Sequence, residues 1–198
     1  MDKTQRIFTL AGFVVIVILG FGLPSGAASK SSPAHVNLVS HVVKTQKVAF
    51  KGSYRGSIAL LMVGASGQSA TSVTVSSVTG TGTGTLLGSG HVSASGSAPA
   101  SNQCDPLTGH GILSGAGGTL RFKVVSSSAS QGCATGTSAP TAVTVKALAT
   151  VTGGTGKYAR VSGTLKFTGS FNVSTNSAGS SENDAFSAAV TGALTIKK

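Results

Sequence analysis

The chain has 198 residues, enough for one domain with a real core and short for two. Glycine is abundant at 28 residues, aromatic content is 5%, Trp is missing and β-branched Val and Thr are common, so the composition argues against a helical domain and leaves all-β structure or low-complexity disorder. The formal charge of +11 comes from few acids rather than many bases; the bases are dispersed along the chain, which reads as a solubility device, disfavours nucleic acid and keeps an anionic envelope polymer open as a partner.

Residues 1–28 have the layout of a secretory signal. Lys3 and Arg6 precede an uncharged apolar run from Ile7 to Leu23; Pro24 and Ser25 break it, and Gly26-Ala27-Ala28 offers small residues to a peptidase. Cleavage after Ala28 is expected. The competing reading is a retained anchor, since a run of about 17 residues sits at the lower edge for crossing a bilayer. Either way the remainder is expected outside the cytoplasm, secreted or in the extracytoplasmic envelope, with no membrane span after cleavage. Residues 29–45 read as a flexible polar lead-in and 46–198 as an antiparallel β-barrel domain.

Period-2 alternation then runs through the chain, and no segment after residue 30 sustains a 3.6-residue period. Phe50, Tyr54, Ile58, Leu60 and Met62 share one face, opposite Lys51, Ser53, Arg55 and Ser57. Val73 and Val75 alternate with Thr74 and Ser76. Thr79 to Thr85, with Gly at every second position, reads as a flexible connection or an edge strand. Leu86, Gly88, Gly90, Val92 and Ala94 are placed on one face, opposite Leu87, Ser89, His91 and Ser93. A short strand over 110–114, the Gly115–Gly118 turn and Leu120-Arg121-Phe122-Lys123-Val124 make a hairpin. Val143, Val145, Ala147, Ala149 and Val151 share a face, as do Leu165, Phe167, Phe171 and Val173. The Asn/Ser/Gly-rich stretch 174–185 reads as a solvated loop, and Phe186, Ala188, Val190, Leu194 and Ile196 form the last inner face. About eight strands with one wet face each must hide the other, in a closed barrel, the preferred architecture, or in a β-sandwich.

Cys104 and Cys133 flank the predicted hairpin at similar distances from its turn. In an exported chain a pair so placed is expected to form an intrachain disulfide; the alternative is an intermolecular pair or a redox site, the latter without a CxxC spacing to favour it.

The segment Val151-Thr152-Gly153-Gly154-Thr155-Gly156-Lys157-Tyr158-Ala159-Arg160-Val161-Ser162-Gly163 joins two strong strands. It resembles the Gly-Gly-Thr-Gly-x-Phe-x-x-Ala-x-Gly turn of the allene oxide cyclase and dirigent-like β-barrels, with Tyr158 for the aromatic and Val161 for the usual Ala. The resemblance spans about a dozen residues. It implies a barrel, in which Gly153, Gly154, Gly156 and Gly163 shape the turn and Tyr158 plugs the core. A phosphate-cradle reading of the same glycines fails, because Tyr158 follows Lys157 where Ser or Thr is needed and no helix pattern follows.

Residues for chemistry are few. His35, His41, His91 and His110 are scattered, and no metal site or cofactor is expected. Asp105 is expected to open a turn with Pro106, and Glu182 and Asp184 fall in the predicted loop, so no carboxylate pair and no catalytic residue is assigned. Asn172-Val173-Ser174 is a glycosylation sequon, meaningful only in a eukaryotic secretory pathway. The candidate barrel-lining residues are Tyr54, Phe167, Phe171 and Phe186. Three functions remain: a non-catalytic barrel binding a small apolar ligand or a partner surface, a small isomerase or cyclase implied by the resemblance alone, and a structural or adhesive envelope protein. The oligomeric state is left open.

Overall fold

The computed structural model describes residues 44–197. The expected signal peptide, the lead-in up to residue 43, His35 and His41 lie outside the described residues. Ten strands follow in chain order: β1 Thr45–Val63, β2 Ser72–Gly84, β3 Gly88–Pro99, β4 Cys104–Pro106, β5 Thr108–Gly115, β6 Gly118–Val124, β7 Gln131–Ala134, β8 Thr141–Gly154, β9 Val161–Val173 and β10 Ser181–Lys197, with a 3-10 turn at Gly156–Tyr158 between β8 and β9. The first strand begins one residue before the expected boundary at 46.

Hydrogen-bonded neighbours run β4-β7-β8-β6-β5-β3-β2-β1-β10-β9, and β9 pairs back onto β8. That last pairing closes an eight-stranded antiparallel barrel of β1, β2, β3, β5, β6, β8, β9 and β10; β4 and β7 are two extra short strands. Closure decides against the sandwich, and it follows from one requirement: each strand has one apolar face, and a sheet rolled on itself hides all of them together.

The extra strands continue the wall beyond a break. Along one edge of β8, β6 pairs with Ala149–Gly154 and β7 with Val143–Lys146. At the gap, the buried Ser130 hydroxyl donates to the Leu148 carbonyl (3.4 Å) and accepts the Leu148 N–H (3.1 Å). A side chain thus satisfies peptide groups that no strand covers. The outer pair β4–β7 places Cys104 opposite Cys133, and the expected disulfide joins them.

Two packed clusters fill the interior. The larger holds Phe50, Leu87, Leu113, Leu120, Leu165 and Leu194 among others; the smaller holds Ile58, Leu60, Met62 and Ala70. Inward phase follows the alternation in most strands. The β1 backbone and the rings of Tyr54 and Phe50 lie against β2 where it carries glycine: a Cβ on Gly82 would sit 2.0 Å from the Ser53 carbonyl oxygen and 2.7 Å from the Tyr54 ring, and one on Gly84 2.8 Å from the Phe50 ring. The Gly-x-Gly run of β2 is therefore space for the backbone and aromatic side chains of the neighbouring strand.

Three local expectations are corrected. Thr79–Gly84 is neither a flexible connection nor an edge, because it pairs with β1 on one side and β3 on the other. Leu87, placed on the polar face by the alternation, is fully buried in the core, while Leu86 packs against it only partly buried: β3 starts only at Gly88, whose φ of +66° resets the alternation after the turn. The predicted loop 174–185 ends early, because β10 begins at Ser181 and pairs Glu182 with Leu60 and Asp184 with Ile58. Directly opposed residues share a face, so both carboxylates are turned to the inner side.

Candidate functional site

The two ends of the barrel differ. At the end formed by the β2–β3, β5–β6 and β8–β9 turns, the resembled segment closes the interior. Gly156 (φ +59°) and Gly163 (φ +141°) take up conformations that side chains disfavour, and Gly153 and Gly154 finish β8. The chain folds back there, and Tyr158 is buried against Gly117 with its hydroxyl donating to the Leu86 carbonyl. The ring closes this end of the interior.

The opposite end holds a cavity of about 590 Å³. Tyr54, Phe167, Phe171 and Phe186, the four candidate residues, all line it, together with small and β-branched residues such as Ala94 and Val145. Phe167 also packs on Phe122 with ring centroids 4.7 Å apart. The volume exists because the inner faces of β2, β3 and β8 carry Val, Ala and Gly toward this end, which are too small to meet the Phe rings of β9 and β10 across the interior. Phe167, Phe171 and Phe186 are half-buried, whereas Phe50 at the plugged end is fully buried.

Loops frame the mouth. Ala70 N–H donates to the Asn176 carbonyl (2.7 Å) and Ala178 N–H to the Gln68 carbonyl (2.9 Å), tying the β1–β2 loop to the β9–β10 loop. On the other side Asp105 organises the β3–β4 turn. Its carboxylate accepts the N–H groups of Ser101 and Asn102 (2.9 Å each), the Ser101 hydroxyl (3.1 Å) and the Asn102 side-chain amide (2.9 Å). Burial acts to raise the Asp105 pKa, but the hydrogen bonds from Asn102 and Ser101 together outweigh it and hold the carboxyl below its usual value. Asp105 lies in β4 rather than opening a turn; the turn it serves precedes it.

Polar groups inside the barrel are scarce. The Tyr54 hydroxyl is buried without a hydrogen-bond partner, and burial raises its pKa, so the phenol stays protonated at neutral pH. Glu182 and Asp184 each keep one buried carboxylate oxygen without a partner; the other Glu182 oxygen accepts the Ser174 N–H (2.9 Å). These two acids are the inner-side groups that composition hid. The signal was available in the phase of β10, since residues 182 and 184 continue the inward set of Phe186, Ala188 and Val190.

The histidines do not converge. His91 faces Ser114 and His110 faces Ser95 across their ladders, both exposed on the outer wall, with His110 Nε2 3.4 Å from the Ser95 hydroxyl. Among the described residues no three His, Cys, Asp or Glu side chains gather to hold a metal ion, and no helix is long and apolar enough to cross a membrane. What the arrangement offers chemically is an apolar chamber with a polar rim. Comparison with family models, with curated proteins and with solved structures found no match to this chain.

Proposed function

We propose that this chain is an exported, non-catalytic barrel that holds a small apolar molecule in the cavity at its open end. The observation that carries the reading is the chamber itself, about 590 Å³ and walled by Val, Ala and Phe. Small-molecule pockets span roughly 300–1,000 Å³. Each Å² of apolar surface removed from water on binding contributes about 25 cal/mol, so a ligand filling such a chamber needs few polar contacts. The test is to incubate the purified protein with a lipid or metabolite extract, reisolate it and identify bound molecules by mass spectrometry. Retention of an apolar molecule by wild type, and its loss from Ala188→Phe, which fills the cavity, is expected. Equal recovery from both proteins would place the ligand elsewhere.

A second reading, a small isomerase or cyclase of the allene oxide cyclase or dirigent type, is favoured by the unpartnered hydroxyl of Tyr54, which lines the cavity. Buried polar groups without partners are costly and concentrate at working sites. Turnover of a substrate panel by wild type, lost in Tyr54→Phe, would decide for this reading over binding alone.

A further inference from the structure

The cations that are scattered along the sequence are gathered in the fold. Between Arg55 and Arg121 the chain has no Lys or Arg, and this stretch supplies β2, β3, β4 and β5. The other five wall strands, β6, β8, β9, β10 and β1, are consecutive neighbours around the closed sheet. The barrel therefore has a cationic arc of five strands and a neutral arc of three, the latter faced with Ser, Thr and His.

A band of lysines crosses the cationic arc. Lys51 on β1 faces Thr191, which faces Lys166 on β9. Lys166 faces Leu148 on β8; two residues one way from Leu148 is Lys146, and two residues the other way is Thr150, which faces Lys123 on β6. All four lysines are exposed. With strands about 4.8 Å apart, Lys51 and Lys166 are rooted about 10 Å from each other, and the diagonal pair Lys146 and Lys166 about 7–8 Å. Such spacings are close to the screening length of about 8 Å at physiological salt, so the fields of neighbours add. Among the described residues no carboxylate offsets them: Asp105 is buried, and Glu182 and Asp184 face inward.

We propose that this arc binds a flexible linear polyanion carrying phosphate groups. The curvature selects flexibility. Cations spread over five of eight strands wrap more than half of the wall, whereas a planar membrane or a stiff duplex would touch two or three strands at a time. The residue types select against a lipid surface, because the described aromatic side chains lie in the interior and none stands on the arc as an interfacial anchor. Phosphate is served by every cation of the arc: the lysines are point charges that take a phosphate oxygen from any direction, and Arg55 on β1 and Arg121 on β6, both exposed, add forks that hold phosphate at the two ends of the band. Thr150, Thr168 and Thr191 lie among them as hydroxyl donors. This inference is independent of the cavity.

The test is fluorescence anisotropy of labelled linear polyphosphate against the purified protein over a range of salt concentrations. Wild type is expected to bind with an affinity that falls steeply as salt rises. Lys146→Gln/Lys166→Gln should bind at least about tenfold more weakly at low salt. Its log–log salt slope should be shallower by about 1.4, at about 0.7 for each cation removed. Ser93→Ala/Ser95→Ala on the neutral arc, and Ala188→Phe in the cavity, should match wild type. Should the double lysine variant melt early, Lys51→Gln/Lys123→Gln replaces it. Wild-type affinity and slope in a folded lysine variant would overturn the proposal. So would absence of salt-dependent binding, or tighter binding to polyglutamate, to duplex DNA or to phosphatidylglycerol vesicles than to polyphosphate.

Discussion

The plugged and open ends of this barrel are built from the same strands but held by different forces. At the plugged end, Phe50, Leu113, Leu120 and Leu165 are fully buried and Tyr158 closes over them. At the open end Phe167, Phe171 and Phe186 stand only half-buried opposite strands whose inner faces carry Val, Ala and Gly, and the rim is held by a disulfide, by the Asp105 turn and by hydrogen bonds between loops. Side-chain size sets the difference. Where inward residues are large enough to meet, dispersion and water exclusion hold the wall; where they are small, a chamber is left and the rim needs staples.

Truncating one ring at each end is the sharpest way to break that comparison. Tyr158→Ala is expected to cost about 3–5 kcal/mol in denaturant unfolding, as buried aromatic truncations do. Phe171→Ala, at a half-buried position facing the cavity, should cost no more than about half of that. Equal losses would mean that the open end is packed like the plugged one.

Removing the disulfide comes next. Cys104→Ala/Cys133→Ala should lower stability by about 3–4 kcal/mol for a loop of this size in the chain-entropy model. Hydrogen exchange should show the change confined to one end: the amides of 100–106 and 131–134 lose protection, while those of Leu113, Leu120 and Leu165 exchange only on global unfolding. Uniform loss of protection would show that the rim is not a separate unit.

Asp105 should contribute a smaller, pH-dependent share. Folding lowers its pKa, so its stabilisation is present above the unfolded value of about 3.9. It is lost as pH falls from there through the lower folded value. In urea titrations across pH 2–6, Asp105→Asn should flatten that part of the acid limb. An unchanged limb would remove Asp105 from the account.

The smallest effect is expected at Tyr54. Its hydroxyl is buried and unpaired, so Tyr54→Phe should change stability by less than about 1 kcal/mol, in the stabilising direction. A clear destabilisation, read as a drop in the urea midpoint, would reveal a bound water or ligand oxygen serving that hydroxyl.

Much of the wall was legible in the sequence because alternation is local. The inward sets Phe50-Tyr54-Ile58, Val145-Ala147-Ala149 and Val190-Leu194-Ile196 lie where a two-residue period puts them. The hairpin at Gly115–Gly118 and the cysteine pair across it were legible for the same reason. What misled was composition read without phase. Glycine in Thr79–Gly84 looks like flexibility in one dimension, and its cause, the backbone of β1 with the rings of Tyr54 and Phe50, is a contact distant in sequence. Asn, Ser and Asp before Phe186 look like a loop, yet the pairing of Glu182 with Leu60 extends β10 through them. Residues of the cavity wall, such as Tyr54, Phe167, Phe171 and Phe186, were legible by phase; the volume and its place at one end were not, since they depend on which strands face each other across the closed barrel, and no local period encodes that.

The closed wall has a consequence for how this chain behaves in a crowd of its own copies. Rolling the sheet onto itself uses up the peptide donors and acceptors that an open sheet would offer to a neighbouring molecule. The strand left at the end of the hydrogen-bonded order, β4, is three residues long, tied by Cys104 to its partner strand and ended by Pro106, which has no N–H to give. Short length and proline are devices that blunt a sheet edge against templated growth. The one short strand end that the closed wall leaves over is thus a poor template for adding another strand.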